Sequence, residues 1–562
     1  METFSAAARA ENLRRLARER FDVLVIGGGI TGAGVALDAA ARGYAVALVE
    51  RHDFASGTSS KSTKLAHGGI RYLPQFDFAL VHEALVERGR MLANAPFLVR
   101  PIGFVLPLYR GDRHPVGLPV TLPGGFGIGL VLNIGLVLYD LMAGKHTIAR
   151  HRHISRAEAL KLAPALSPDG LKEAFIYYDA QLDDARLTLT GMRTAARWGA
   201  VIANHAEAIG FQQRAGRLTA ARVRDTLSGE EITVEARHVV NAGGVFAERV
   251  EALTGEAPQL QVLPGKGAHL VVARERIGLL ETAIVLPETD DQRLLFVIPW
   301  EGRAIIGTTD TVGGDLDHPM ATEEDISYLL RHVNRYLTVN LTRADVLSTY
   351  AGYRPLVRSR DQKQSKQLSR THAVVESPGG LVSIVGGKLT TWRRMGQDTV
   401  DHLARRDGLA IKHPTESLPL LGAERWPEVS ASLPRRGAAL GLEAESSDHL
   451  GYFYGSQALA VLDLIEQERG LAARLLPDLP YLRAEVVHAC RAEMALTLED
   501  VLARRLRIAI EDRQRGLGVV ADVANLMARE LGWSASERER QIGAYRAWAE
   551  QEGLMEANPL VF

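Results

Sequence analysis

The chain has 562 residues, which at roughly 150 residues per domain is room for three or four domains. Its 66 Lys+Arg against 67 Asp+Glu leave a net charge of −1, so there is no electrostatic case for wrapping nucleic acid. Hydrophobic residues at 46% and charged residues at 24% exclude a disordered tail protein and a polytopic membrane protein, and a single cysteine, Cys490, excludes an intrachain disulfide or a cysteine-based metal cluster and fits a reducing compartment.

Residues 1–20 mix five Arg with three Glu and lack a continuous apolar core. They read as a short amphipathic surface helix, not as an export signal or transit peptide. FDVLVI, from Phe21, suits a strand buried on both faces. It runs into GGGITGAGVALDAAARG, where Gly27, Gly29 and Gly32 form G-x-G-x-x-G ahead of a helix stopped by Gly43. A second strand, YAVALVE, ends at Glu50, 21 residues after Gly29, close to the spacing at which an acid bonds a ribose hydroxyl. Gly27 permits the tight turn, Gly29 lets the backbone approach a pyrophosphate, and Gly32 lets helix and strand pack closely. The helix N-terminus offers free N–H groups to the phosphates.

The motif alone leaves FAD and NAD open. The next stretch, SGTSSKSTKLAHGGIRYL (56–73), is crowded with small polar residues and reads as a clamp on the longer cofactor, a flavin. Three later junctions repeat the strand-to-turn pattern: HVVNAGGVFAERV (238–250), IIGTTD (305–310) and GGLVSIVGGKLTTWRRMGQ (379–397). Together they favour an interrupted α/β flavin domain whose strand ends converge on one crevice.

Residues 115–139 carry no charge, but Pro119, Pro123 and Gly124-Gly125 interrupt their first half. The helix-competent remainder, about Phe126–Met142, is 17 residues with Asn133 and Asp140 inside it, so a surface hairpin or partly buried helix is expected rather than a span. After residue 398 the strand pattern stops; HPTESLPLLGAERWPEV reads as a linker and 435–562 as helices. In TLEDVLARRLRIAIED, Thr497 and Asp500 have capping-box spacing, Val501, Leu502, Leu506 and Ile508 form an inward stripe, and Arg504 and Arg505 read as a solvated or salt-bridged face. Cys490 reads as a buried small residue.

These motifs resemble the FAD-dependent glycerol-3-phosphate dehydrogenases. The likeness rests on GGGITGAGVALDAAARG, SSKSTKLAHGGIRYL, KGAHLVV, VIPWEGRAIIGTTDT, YAGYRPL, VGGKLTTWR, HLGYFYGS and TLEDVLARRLRIAI, and spans roughly residues 20–520. HGGIRYL, GYRPL and GGKLTTWR are its most specific parts. The resemblance implies oxidation of sn-glycerol 3-phosphate to dihydroxyacetone phosphate, with FAD taking a hydride from C2 and a membrane quinone taking the electrons. It implies an interrupted FAD-binding Rossmann-like domain (21–100, 185–260, 345–398), a mixed α+β substrate domain (101–184, 261–344) and a helical C-terminal domain (399–562).

Such chemistry needs a base within reach of the substrate hydroxyl and arginines for its phosphate. By resemblance, Arg354 holds substrate near the flavin, Arg71 is a second site arginine accompanied by Tyr72, and His269 is a proton acceptor. Lys388 is assigned to the substrate or the reduced flavin, and Thr309 to the polar wall. FAD is expected on Gly27, Gly29, Gly32, Glu50, Ser59, Ser60, Lys64, His67, Gly68 and Gly69. Ala206 and Ala242 are placed at the adenine and pyrophosphate ends, and Gly387, Leu389 and Thr390 at the isoalloxazine. A quinone reductase gains from sitting on a bilayer, so peripheral attachment to the inner (cytoplasmic) membrane through the apolar 115–139 region is expected, with a homodimer as a further possible partner. A single cysteine counts against the anaerobic, cysteine-rich version of the dehydrogenase. A glycerol-3-phosphate oxidase and a non-catalytic flavin-binding regulatory protein stay open as alternatives.

Overall fold

The computed structural model describes residues 4–112, 127–291, 293–359 and 371–552. The first element, the helix Ala6–Arg18, is capped by Ser5 and sends Arg9 inward, where its guanidinium binds Asp225 and the carbonyls of Asn204 and His205. Two sheets follow. The first has eight strands and runs Ala373–Glu376, Leu381–Val385, Glu231–Asn241, Arg20–Ile26, Val46–Val49, Val201–Ala203, with the hairpin Ala206–Arg214 and Arg217–Asp225 extending from Glu231–Asn241. Its central strands are parallel. Val23, Leu24 and Val25 are fully buried, as a strand covered on both faces requires. The helix Ile30–Ala41 packs between Asp184–Arg197 and Trp392–Arg406. Gly34 and Gly396 let two helix backbones touch there: a Cβ on either would overlap the other helix's backbone.

The second sheet has ten strands, built around Leu260–Ala273, Arg303–Gly307, Leu295–Trp300, Ala283–Leu286, Arg100–Tyr109 and Leu171–Gln181. Val346–Ser359, from the segment expected in the FAD-binding domain, pairs antiparallel with Leu260–Ala273 in this sheet. The pair Leu65–Ala66 likewise crosses over to Leu171–Gln181. The helical C-terminal part is docked on the first sheet's helices through a shared apolar core that includes Trp392, Leu450, Leu482 and Leu502. The stretch expected to be a linker is packed: Thr415, Leu418 and Leu420 are buried, and Thr415 donates to Asp38. Arg186 grips Glu493 with two hydrogen bonds of 2.8 and 2.6 Å across this interface.

Thr497 and Asp500 do form reciprocal capping bonds, and Val501, Leu502, Leu506 and Ile508 are fully buried. The turn Asp500–Arg505 is a π-helix. Arg504 and Arg505 are buried and salt-bridged to Asp53, so of the two expectations for that face the salt-bridged one holds and the solvated one does not. Cys490 is buried.

The apolar region was expected as a hairpin or partly buried helix; residues 113–126 lie outside the described residues, and the rest is the helix Ile128–Ala143. Ile128, Leu132, Leu136 and Tyr139 face inward, while Leu130, Ile134 and Leu141 face solvent at 66%, 59% and 71% exposure. Extended to His146, this 19-residue run is the one among the described residues long and apolar enough to cross a bilayer, yet its inner side is seated on the protein through Phe78–Asn94.

Candidate functional site

A crevice of about 810 Å³ lies between the two sheets and reaches the C-terminal helices. At its nucleotide end, the fingerprint behaves as its spacing demands. Gly27 has φ +114°, and a Cβ there would strike the Ala242 carbonyl; a Cβ on Gly32 would overlap the Gly27 carbonyl. Gly27, Gly29 and Ala242 line the crevice at the N-terminus of Ile30–Ala41. Ser59 caps that helix start, accepting the Ile30 N–H at 2.9 Å, and Ser60 sits beside it. Glu50 accepts N–H groups from Gly28 (2.5 Å) and His52 (2.9 Å), which hold its carboxylate at the crevice mouth beside Ala206. This geometry suits a diphosphate and a ribose.

At the far end, Gly386 and Gly387 turn the chain from Leu381–Val385 into Lys388, Leu389 and Thr390, all on the crevice wall. Thr390 bonds the backbone N–H and carbonyl of His67. His269 and Arg354 meet because their strands pair: His269 lies opposite Tyr350, and Gly265 opposite Arg354. Arg354 donates to Asp310 (3.1 Å), Thr308 Oγ1 (3.1 Å) and the Thr309 carbonyl (3.2 Å). Arg71 donates to Tyr72 OH at 2.8 Å, and Lys388 Nζ lies 4.1 Å from the centre of the same ring.

Positive groups crowd one another at this end of the crevice. Burial and the nearby Arg71 push Lys388 down to about 7. Burial and Arg71 push Arg354 down to about 10. Burial, then Arg354, push His269 down to about 3, so its ring is neutral. His67 is also held neutral, at about 3, by burial and Lys388. Three buried polar atoms here have no hydrogen-bond partner among the described residues: Lys388 Nζ, Arg71 Nε and His269 Nδ1. Buried polar atoms in folded proteins are normally paired, so this cluster is shaped for a polar group from outside the chain.

Four expected site residues, Lys64, Thr309, Gly68 and Gly69, are not on the crevice wall. Lys64 is fully buried, its ammonium held by Asp184 at 2.5 Å and the Ser60 carbonyl at 2.9 Å, so it braces the polar loop from behind. Thr309 accepts the Ala268 N–H at 3.0 Å and presents its carbonyl to Arg354, which makes it a support for that arginine. Gly68 and Gly69 shape the backbone behind His67 and Arg71.

Sequence reasoning missed a second layer. Arg507 donates to the Ser60 carbonyl at 2.7 Å and pairs with Asp183 and Asp184, so the C-terminal domain holds the polar loop in place. Asp53, His205 and Asp500 converge in a manner that suits a metal, but Arg504 and Arg505 already neutralise the two carboxylates. No sequence signal marked these long-range pairs.

Residues 22–393 match the family model described as FAD dependent oxidoreductase, and 413–538 match the C-terminal domain of alpha-glycerophosphate oxidase. Glycerol-3-phosphate dehydrogenase 2 of Mycobacterium tuberculosis is 41% identical over 557 residues, covering 98% of this chain and 92% of that protein. The chain belongs to the FAD-dependent glycerol-3-phosphate dehydrogenase family. The mitochondrial glycerol-3-phosphate dehydrogenase of Bos taurus is 38% identical, covering 94% of this chain and 72% of its own length. The glycerol-3-phosphate dehydrogenase from Bacillus halodurans, solved with FAD, superposes with a TM-score of 0.79 at 30% identity, covering 100% of this chain and 99% of the other. Within this family FAD is the cofactor, and the glycine cradle and the unpartnered Lys388 fit it: the cradle suits the diphosphate, and a cation suits the end where reduced flavin gathers negative charge.

Proposed function

We propose that the chain oxidises sn-glycerol 3-phosphate to dihydroxyacetone phosphate and passes the electrons to a quinone at a membrane surface. The observation that carries this reading is the half-buried cluster of Arg71, Arg354 and Lys388 around a buried, neutral His269, with Asp310 as the carboxylate bonded to Arg354. Three cations against so little negative charge await a dianion, and a phosphate meets that need. Bound FAD supplies the acceptor for the hydride leaving C2.

The chain's own residues do the rest. Arg354 and Arg71 hold the phosphate and thereby fix C2 and its hydroxyl. His269 Nε2 contacts Thr63 Oγ1 at 2.9 Å. With the ring hydrogen on Nε2 and donated to Thr63, Nδ1 is an open acceptor for the hydroxyl proton. A bound phosphate offsets the Arg354 charge that holds His269 down, so substrate binding itself makes the imidazole a better base. Tyr350, stacked on the ring at 4.7 Å, fixes its plane. Lys388 provides positive charge beside the site.

The outward face of Ile128–Ala143 supports a membrane acceptor, because an apolar patch of this kind suits the acyl boundary. Peripheral attachment to the cytoplasmic membrane follows from that reading. The test is acceptor stoichiometry: quinone analogue reduced one for one with substrate, without peroxide, and retention on lipid vesicles that is lost in a Leu130→Ser, Ile134→Ser, Leu141→Ser variant. Stoichiometric peroxide in air would replace the quinone by oxygen, and unchanged vesicle binding would remove the helix from the membrane contact.

A further inference from the structure

The exposed helix Ile128–Ala143 reaches the reaction site through one side chain that the chemistry above does not use. Tyr139 is buried, and its hydroxyl donates to Asp179, 2.8 Å from Oδ1 and 2.9 Å from Oδ2. The same oxygen accepts the backbone N–H of Gly68 at 2.9 Å. Asp179 also accepts that N–H, at 3.1 Å, and is paired with Arg88 at 2.6 Å. A Cβ on Gly68 would collide with the Tyr139 hydroxyl, so the backbone is pressed against the phenol. Immediately after it, Gly69 takes a left-handed φ of 79° and starts the 3-10 turn Ile70–Gln75, which carries Arg71 and Tyr72.

We infer that Tyr139 is a positioning residue for substrate binding: it fixes Gly68, and through Gly68 the direction in which Arg71 and Tyr72 enter the crevice. The inference rests on the reading of Arg71 as part of the substrate site. The turn is short and its hinge is a glycine, so its start is set by side chains on both sides of it: the Thr390 bonds to His67 on one side and the Tyr139–Asp179 node on the other. A buried phenol that both donates and accepts has no substitute when it is removed. Any shift of the turn moves Tyr72, and with it the ring over which Arg71 and Lys388 are both placed.

The test compares Tyr139→Phe, Arg71→Ala and Leu136→Ala in the full-length FAD-loaded protein. Leu136 is a buried apolar neighbour on the same helix and takes no part in the node. Tyr139→Phe is expected to raise KM for glycerol 3-phosphate about tenfold, equivalent to ~1.4 kcal/mol, with kcat changed far less and FAD content unchanged. Leu136→Ala is expected to lower Tm and leave KM in place. Asp179→Asn weakens the node from its other side and carries the same KM expectation if Tyr139→Phe does not fold. A wild-type KM in Tyr139→Phe, with a raised KM in Arg71→Ala, overturns the inference and leaves the site reading standing. Equal KM increases in Tyr139→Phe and Leu136→Ala overturn it in favour of helix packing. A wild-type KM in Arg71→Ala overturns the reading of the site itself.

Discussion

Arg354→Ala is the perturbation with the clearest expected size. In the free protein Arg354 Nη1 donates to Asp310, and Asp310 is also 3.2 Å from Arg293, so removing Arg354 leaves that carboxylate with a cation beside it. The fold therefore loses little. The substrate loses its charged fork. Hydrogen bonds to charged groups contribute about 1.5–3 kcal/mol each, and a bidentate grip on phosphate makes two. A loss of ~3–5 kcal/mol corresponds to roughly a hundred- to several-thousand-fold fall in kcat/KM. Arg354→Lys keeps the charge without the fork and should recover only part of it. The assay is steady-state turnover of glycerol 3-phosphate with a quinone analogue, alongside flavin content from visible absorbance. Wild-type kcat/KM in Arg354→Ala, or a fall matched by equal loss of FAD, would refute the reasoning.

Two other outcomes follow from the same geometry. Lys388 sits near 7 in the free enzyme, so it gives up its proton as pH rises through neutrality; kcat/KM should fall on that alkaline limb, the limb should vanish in Lys388→Gln and move upward in Lys388→Arg, and a limb unchanged in Lys388→Gln would clear Lys388 of the role. Asp184→Asn strips the buried Lys64 and Arg507 of a shared carboxylate, so stability should fall by about 3–5 kcal/mol with early release of FAD on heating, and an unaltered unfolding midpoint would contradict the brace.

The nucleotide end was legible because its information is local. From Phe21 to Glu50 the strand, the three glycines, the helix and the acid follow one another in thirty residues, and only the approach of Ala242 to Gly27 and of Ser59 to Ile30 comes from outside that span. The place of Lys388 on the crevice wall, just after Gly386-Gly387, was legible for the same reason. His269 and Arg354 came from motif likeness; their meeting depends on an antiparallel register that strand periodicity does not specify. The sheet that Val346–Ser359 joins was open for the same reason: alternation marks a strand but does not choose its neighbour. The bracing pairs Asp184–Arg507 and Asp53–Arg505 were not legible at all. Charges on a helical segment usually face water, and only the docking of the C-terminal domain buries these. Lys64 was misjudged by the same blindness, because a lysine in a polar loop looks like a phosphate donor until its carboxylate partner, 120 residues away, is seen beside it.

The most direct measurement is an anaerobic titration of the purified, FAD-loaded protein with glycerol 3-phosphate, followed by visible absorbance. The oxidised flavin band should bleach with one substrate per flavin and return when a quinone analogue is added. A band that glycerol 3-phosphate leaves untouched, or a polypeptide that cannot be loaded with FAD, would contradict the account.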